Sequence, residues 1–356
     1  METVFVGVDL GSFNTAVACS NGLRETVQSM VGYPKDHISQ KTLGRSVVFG
    51  DEIHQHRLAL DVVRPFHKAA LKYQDPTRAE MSERDAEKND RAAQLLLKHV
   101  LSAVKPSPGA TVFGVIGMPA RAGRQSKQSI LRIAQEALDV AMLVPEPFAV
   151  GYGINQLIDA LVVDIGAGTI DFCPMYGALP ADQELVSVPF GGDYIDEDFH
   201  DRTLAAYPKA RMSLNMAREI KEKYGFVGES PNAVKVRLPV GGRPPQEFDV
   251  TEPLRQACEE MVPAVVQGIQ GLIERLDPEF HQAIVSNIVL GGGGSQLRGL
   301  DQALERALEE YGCVSVTRVY DTMFAGAAGA LGIAMNMPAE NWDRLRAMKR
   351  EPVACG

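Results

Sequence analysis

Apolar residues follow two rhythms along this chain. Short runs rich in valine and isoleucine predict strands, and stretches with apolar positions every three or four residues predict helices. The strand-like runs are Thr3–Val8, Thr111–Ile116, Leu161–Ile165, Asn287–Leu290 and Val314–Thr317. One helical stretch is 84–104, with Leu95, Leu96, His99 and Val100 at helical spacing; another is 124–142, with Ile130, Leu131, Ile133, Ala134 and Leu138 on a broad apolar side. Residues 252–276 and 298–311 read in the same way, with Gly312 as a helix stop. Strands alternating with helices predict an α/β architecture.

Two segments share one pattern. VFVGVDLGSFNTAVACS (4–20) and ALVVDIGAGTIDFCPMY (160–176) each run as an apolar strand to an aspartate, then a short Gly/Ser/Thr turn, then a second strand. That is the pattern of a β-hairpin whose turn must come close to something. The two aspartates, Asp9 and Asp164, lie 155 positions apart, which predicts duplicated halves whose hairpins face a common cleft. Residues 34–83 and 226–251 are less regular, rich in proline, glycine and charge, and read as smaller subdomains inserted into each half.

Composition narrows the function. At about 100–200 residues per domain, 356 residues predict two domains. A net charge of −9 argues against general nucleic-acid binding, which needs a clustered positive field. An anionic ligand must therefore be recruited locally, by Mg²⁺ and backbone N–H groups. The five cysteines (Cys19, Cys173, Cys258, Cys313, Cys355) form no C-x-x-C pair and are odd in number, so free thiols in a reducing compartment are expected. A strand from Thr3 leaves no room for a signal peptide, and no apolar stretch approaches the ~20 residues of a membrane span. These features predict a cytoplasmic protein without membrane insertion.

Three glycine-bearing turns carry candidate chemistry. In the first, Gly11 permits close backbone approach, and the N–H groups around Ser12, Phe13 and Asn14 suit phosphate oxygens. Asp9 suits Mg²⁺ held through water, since Mg²⁺ takes oxygen ligands and dehydrates reluctantly. In the second, Gly166, Ala167, Gly168 and Thr169 suit the terminal phosphates, with Asp164 as the matching carboxylate. Either turn alone also reads as an ordinary tight hairpin; the matched pair counts against coincidence. The third is a strand ending at Leu290 that runs into Gly291, Gly292, Gly293, Gly294 and Ser295, where a base or phosphate can lie on bare backbone.

In this order, these motifs resemble the actin, MreB and DnaK-type ATPase superfamily over nearly the whole chain. Asp9–Asn14 resembles its first phosphate motif, Asp164–Asp171 the second, and Leu290–Ser295 the adenosine motif. Residues 145–153 and 326–330 resemble its two connecting helices, 218–223 its adenosine-contacting segment, and Gly191, Gly192 and Asp193 its turn beside the nucleotide. Val31–Asp36, Gly117–Ala122 and Asn341–Trp342 are similar to the magnetosome actin-like filament proteins within it. Phe13 departs from the pattern, since relatives carry a small or polar residue there.

The resemblance implies an actin-like ATPase fold: two related domains of mixed sheet flanked by helices, each with a smaller inserted subdomain, and a nucleotide cleft between them. Domain I is expected at 1–153 and 326–356, with its subdomain at about 34–83; domain II at 154–325, with its subdomain at about 192–251. It implies ATP and Mg²⁺ as ligands, Asp9 and Asp164 at the metal, and Glu146 and Asp164 as the catalytic residues. Glu146 would orient the attacking water; a carboxylate opening a helix also complements the helix dipole. Lys221 and Glu222 are assigned to adenine and ribose, although such charge runs usually form solvated helix faces. Asp193 would position water or Mg²⁺, or cap a helix. His54 and His56 read as a surface strand, and Trp342, Leu345 and Met348 as a terminal helix docked on its own domain rather than lying on a membrane.

The implied activity is ATP hydrolysis coupled to a homopolymeric filament, with magnetosomes and their associated proteins as what it organises. A small-molecule kinase of the same superfold is the alternative. A DnaK-type chaperone would carry a peptide-binding domain, and here the chain runs only a short way past Ala330.

Overall fold

The valine-rich amino terminus becomes the centre of a sheet. In the computed structural model, which describes residues 2–66, 82–104, 109–230 and 232–350, contacts divide the chain into two units, 1–156 with 323–356 and 157–322. Part of the expected 34–83 subdomain (67–81) and Cys355 lie outside the described residues.

The first unit contains β1 (Thr3–Leu10), β2 (Asn14–Cys19), β3 (Arg24–Gln28), β4 (Val31–Pro34), β5 (Val48–Phe49), β6 (Leu60–Val63), β7 (Thr111–Met118) and β8 (Val140–Pro145). Its main sheet has the order β3-β2-β1-β7-β8: a meander of three antiparallel strands, then two parallel additions. Alternate residues of β1, Val4, Val6, Val8 and Leu10, enter a core with Leu96, Leu97 and Val100 of helix Glu83–Ala103 and Ile130 and Ile133 of helix Arg124–Gln135. Gly7, between them, leaves room for helix Ala325–Asn336, because a Cβ there would run into Ala327 O and Leu331 N. That helix crosses helix Glu146–Gly153 where Gly329 faces Ala149 and Gly153, and only small residues allow backbones so close. β5-β4-β6 form a separate small sheet.

The second unit contains β9 (Ala160–Ile165), β10 (Ile170–Met175), β11 (Val186–Val188), β12 (Lys235–Val240), β13 (Arg243–Asp249), β14 (Ile288–Gly291) and β15 (Val316–Arg318). Its main sheet, β11-β10-β9-β14-β15, repeats the first in order and strand direction. Leu161, Val163, Ile165 and Phe172 pack with Ile195, Phe199, Val265 and Ile269. β12 and β13 form an independent hairpin.

Several local expectations change. Helix Arg124–Gln135 stops short of 142, because Val140–Val144 pairs in parallel with β7; a short apolar run fits either period, and the free strand edge decides it. The 252–276 stretch divides into Thr251–Glu259 and Met261–Ile273, since Pro263 has no N–H and its ring crowds the carbonyl four residues back. The helix expected at 298–311 covers Leu300–Ala307, followed by a 3₁₀ turn ending at Gly312, whose φ is 100°. His54 lies in the short helix Glu52–Gln55, not a strand, with Nε2 2.7 Å from Gln28 Oε1. Trp342 is 2% exposed in helix Ala339–Arg350, stacked on Phe113 with centroids 4.8 Å apart, and Nε1 donates to Ala334 O at 3.3 Å. The tail thus docks on its own unit. Among the described residues, no helix is long and apolar enough to cross a membrane.

Candidate nucleotide site

In the first unit, register puts Asp9 opposite Ala16 on β2 and Gly117 on β7, at the carboxyl end of β1. Residues 11–13 then turn the chain into β2. A Cβ on Gly11 would collide with Asn14 O, so the turn closes only around glycine. Ser29 braces it from the next strand connection: Oγ donates to Gly11 O at 2.6 Å, and its N–H donates to Phe13 O at 2.7 Å. Thr15 Oγ1 lies 2.9 Å from Ser29 Oγ, completing a buried brace. The turn is thus held by the carbonyls of Gly11 and Phe13.

Glu146 opens its helix straight out of β8, at 8% exposure, and Pro147 suits a first helical turn, where an N–H has no intrahelical partner anyway. Gly117 makes the room: a Cβ there would sit 2.9 Å from Glu146 Cγ. Gly326 does the same for Asp9, whose Oδ2 would lie 2.6 Å from a Cβ at that position. Asp9 therefore lies at the amino-terminal turn of helix Ala325–Asn336, where the helix dipole favours negative charge. One end of this sheet gathers Asp9, Glu146 and the first glycine turn.

The second unit builds the corresponding corner. Asp164 ends β9 opposite Asp171 on β10 and opposite Gly291 on β14, as Asp9 stands opposite Gly117. Gly166 N donates to Thr169 O at 2.9 Å to close the turn, and Thr169 Oγ1 donates to Asp171 Oδ2 at 2.7 Å. The turn is again held by its carbonyls: Gly192 N donates to Gly166 O at 3.0 Å and Asp193 N to Ala167 O at 2.8 Å. A Cβ on Gly191 would come 2.6 Å from Ala167 O and 2.7 Å from Gly166 O. In the glycine run, Gly292 has φ 71°, and a Cβ there would lie 2.5 Å from Asp164 Oδ1. Ser295 Oγ donates to Gly292 O at 2.7 Å, while Gly293 faces open space.

Helix Leu214–Tyr224 joins this corner through buried charge. Arg218 Nη2 donates to Asp193 Oδ1 at 2.7 Å and Nε to Asp196 Oδ2 at 2.9 Å. Lys221 Nζ pairs with Asp196 Oδ1 at 2.7 Å and donates to Gly192 O at 2.8 Å. Arg218 and Lys221 are thus interior, not part of a solvated face. Asp193 does not cap its helix, since Gly191 occupies the cap; it lies in the first turn and pairs with Arg218. Glu222 lies on the exposed side of helix Leu214–Tyr224; desolvation raises its carboxyl above the ordinary value, with Lys221 and Arg218 opposing. Burial raises Asp196 likewise, against the pull of Lys221 and Arg218.

Each unit therefore gathers its share of the expected residues: Asp9–Asn14 and Glu146 in the first, and 164–169, 191–193, 221–222 and 291–295 in the second. Sequence reasoning missed Ser29, Thr15 and Asp196, and took Gly117 and Asp171 only as members of longer motifs. Of these, Asp196 left a signal, since Asp193 and Asp196 share a helix face at i,i+3, as do Arg218 and Lys221. Among the described residues no three His, Cys, Asp or Glu side chains cluster to enclose a metal. Few carboxylates at each strand end, with glycine opposite on the parallel neighbour, fit Mg²⁺ held largely through water.

A model of the MreB/Mbl protein family matches residues 86–339. Actin-like protein MamK of Paramagnetospirillum magneticum (strain ATCC 700264 / AMB-1) is 39% identical over 342 residues, covering 96% of this chain and 95% of that protein. A solved MamK double helical filament is 38% identical with a TM-score of 0.88, over 95% of this chain and 100% of that one. A non-polymerising MamK mutant bound to AMPPNP is 38% identical with a TM-score of 0.70, over 94% and 99%.

Proposed function

This chain belongs to the MreB/Mbl family of actin-like proteins, and we propose that it is a bacterial cytoskeletal ATPase. It binds ATP with Mg²⁺, assembles with copies of itself into filaments, and disassembles after hydrolysis. The observation that carries this reading is the repeated corner: a carboxylate ending the central strand, opposite a glycine on the parallel neighbour, followed by a turn braced through its carbonyls. One such corner is an ordinary hairpin; two in equivalent sheet positions count against coincidence, and each suits phosphate oxygens. The likeness to a MamK filament and to an AMPPNP-bound MamK supports both polymer and ligand.

In this reading Asp9 and Asp164 hold Mg²⁺ through water, and the ion neutralises charge on the phosphates. The N–H groups of 11–14 and 166–169 bind phosphate oxygens, with 191–193 beside them. Residues 291–295, Lys221 and Glu222 receive the nucleoside. Glu146 accepts a hydrogen bond from the attacking water and orients it. Resemblance to the magnetosome filament proteins supports a cytoplasmic role in positioning magnetosomes, with their associated proteins as partners.

Negative-stain microscopy with and without ATP–Mg²⁺ tests the proposal. Filaments are expected with nucleotide. A protein that stays monomeric at all practical concentrations, yet phosphorylates a small-molecule hydroxyl, would instead be a kinase of this superfold.

A further inference from the structure

We infer that Asp196 is a positioning residue that keeps the second phosphate turn in shape from the interior of its unit, an inference that rests on the nucleotide-binding reading above. Asp196 is almost wholly buried, and its two oxygens are divided between two cations. Oδ2 takes Arg218 Nε at 2.9 Å, and Oδ1 takes Lys221 Nζ at 2.7 Å. Both cations then reach the 191–193 segment, Arg218 at the Asp193 carboxylate and Lys221 at Gly192 O. That segment donates two backbone hydrogen bonds to the carbonyls of Gly166 and Ala167, inside the phosphate turn. A continuous chain of ion pairs and hydrogen bonds thus runs from helix Leu214–Tyr224 to the turn, with Asp196 at its root.

Gly192 shows how tight this chain is: a Cβ there would lie 3.0 Å from Lys221 Nζ. Removing one member of a buried charged group leaves its partners uncompensated. In Asp196→Asn the carboxamide keeps the shape but cannot satisfy two cations. Lys221 and Arg218 then lose their fixed positions, and 191–193 loses the side chains that hold it against the turn. The consequence falls on phosphate binding. The glycine run 291–295 is braced by its own Ser295 bond and by β14, so adenosine feels the loss of Asp196 only through Lys221, whereas the analogue also feels the loosened phosphate turn.

The test compares binding of a non-hydrolysable ATP analogue and of adenosine, by calorimetry, in the wild-type chain and in Asp196→Asn. Thermal unfolding without ligand measures how much of the variant is folded. The variant is expected to lose about tenfold or more in affinity for the analogue, the scale of one charge-assisted interaction, and clearly less for adenosine. Arg218→Gln, which keeps the Asp196–Lys221 pair and leaves the nucleoside contact of Lys221 in place, provides the same comparison should Asp196→Asn fold poorly. An analogue-to-adenosine affinity ratio equal to wild type in the folded variants overturns the inference and leaves Asp196 a structural ion pair. A wild-type chain that binds no nucleotide overturns the function reading itself.

Discussion

Asp9 and Asp164 each lie at the carboxyl end of a central strand with a glycine opposite on the parallel neighbour, so no side chain crowds the carboxylates from that strand. If they hold the metal, Asp164→Ala removes a ligand that Asp171, already engaged by Thr169, does not replace. Hydrolysis should be abolished and Mg²⁺-dependent nucleotide binding strongly weakened; phosphate release and a binding titration with and without Mg²⁺ check this. Glu146 differs, because it opens a helix and belongs to neither glycine turn. Glu146→Ala should keep ATP binding while losing about 10²–10⁴-fold in turnover, the range of general-base effects; normal phosphate release would sink its catalytic role. Gly117 extends the argument to a residue without chemistry of its own. Gly117→Ala places a Cβ 2.9 Å from Glu146 Cγ and must displace that side chain. Turnover should fall while analogue affinity stays near wild type, measured by the same two assays.

At the scale of elements, close packing of backbones decides where the functional residues lie. Helix Ala325–Asn336 is nearly all glycine and alanine on its buried sides, which lets it rest on β1 at Gly7 and cross helix Glu146–Gly153 at Gly329. Those contacts bring its amino-terminal turn to Asp9. The terminal helix clamps the later turns of the same helix through Trp342, which packs against Phe5, Phe113, Ala330 and Ala334. Trp342→Ala should destabilise the first unit by about 3–5 kcal/mol, as buried aromatic truncations do. Denaturant unfolding monitored by circular dichroism measures the loss. Trp342 is also the single tryptophan, so its emission reports on tail docking in the wild-type protein.

For the molecule as a whole, the question is how chemistry couples to assembly. A nucleotide favours the filament only through a difference in affinity between assembling and non-assembling states. If ATP favours assembly and hydrolysis relaxes it, a chain that binds but cannot hydrolyse should stay assembled. Filaments of Glu146→Ala should therefore persist after free ATP is removed, while wild-type filaments disperse; the pelleted fraction over time after nucleotide depletion decides it. Lost hydrolysis with normal dispersal would leave the catalytic role intact but break its link to filament turnover.

Much of this was legible in the chain itself. The two Asp-ended apolar runs, the glycine turns after them and the glycine run after Leu290 are local patterns, set by which residues tolerate close backbone approach. Local pattern also predicted the alternation of strands and helices. It did not tell the strand at 140–145 from a continuing helix, because a short apolar run satisfies both periods until a neighbouring strand offers its edge. Nor did it reveal Ser29 behind Gly11, Gly117 beside Glu146, or Asp196 under the second turn. Each of these acts on a residue distant in sequence, and its side chain is ordinary until packing removes water from around it. A buried carboxylate between two cations is strongly constrained; the same carboxylate on a solvated helix face is not. The chain specified which residues can approach a phosphate, and tertiary structure decided which others hold them there.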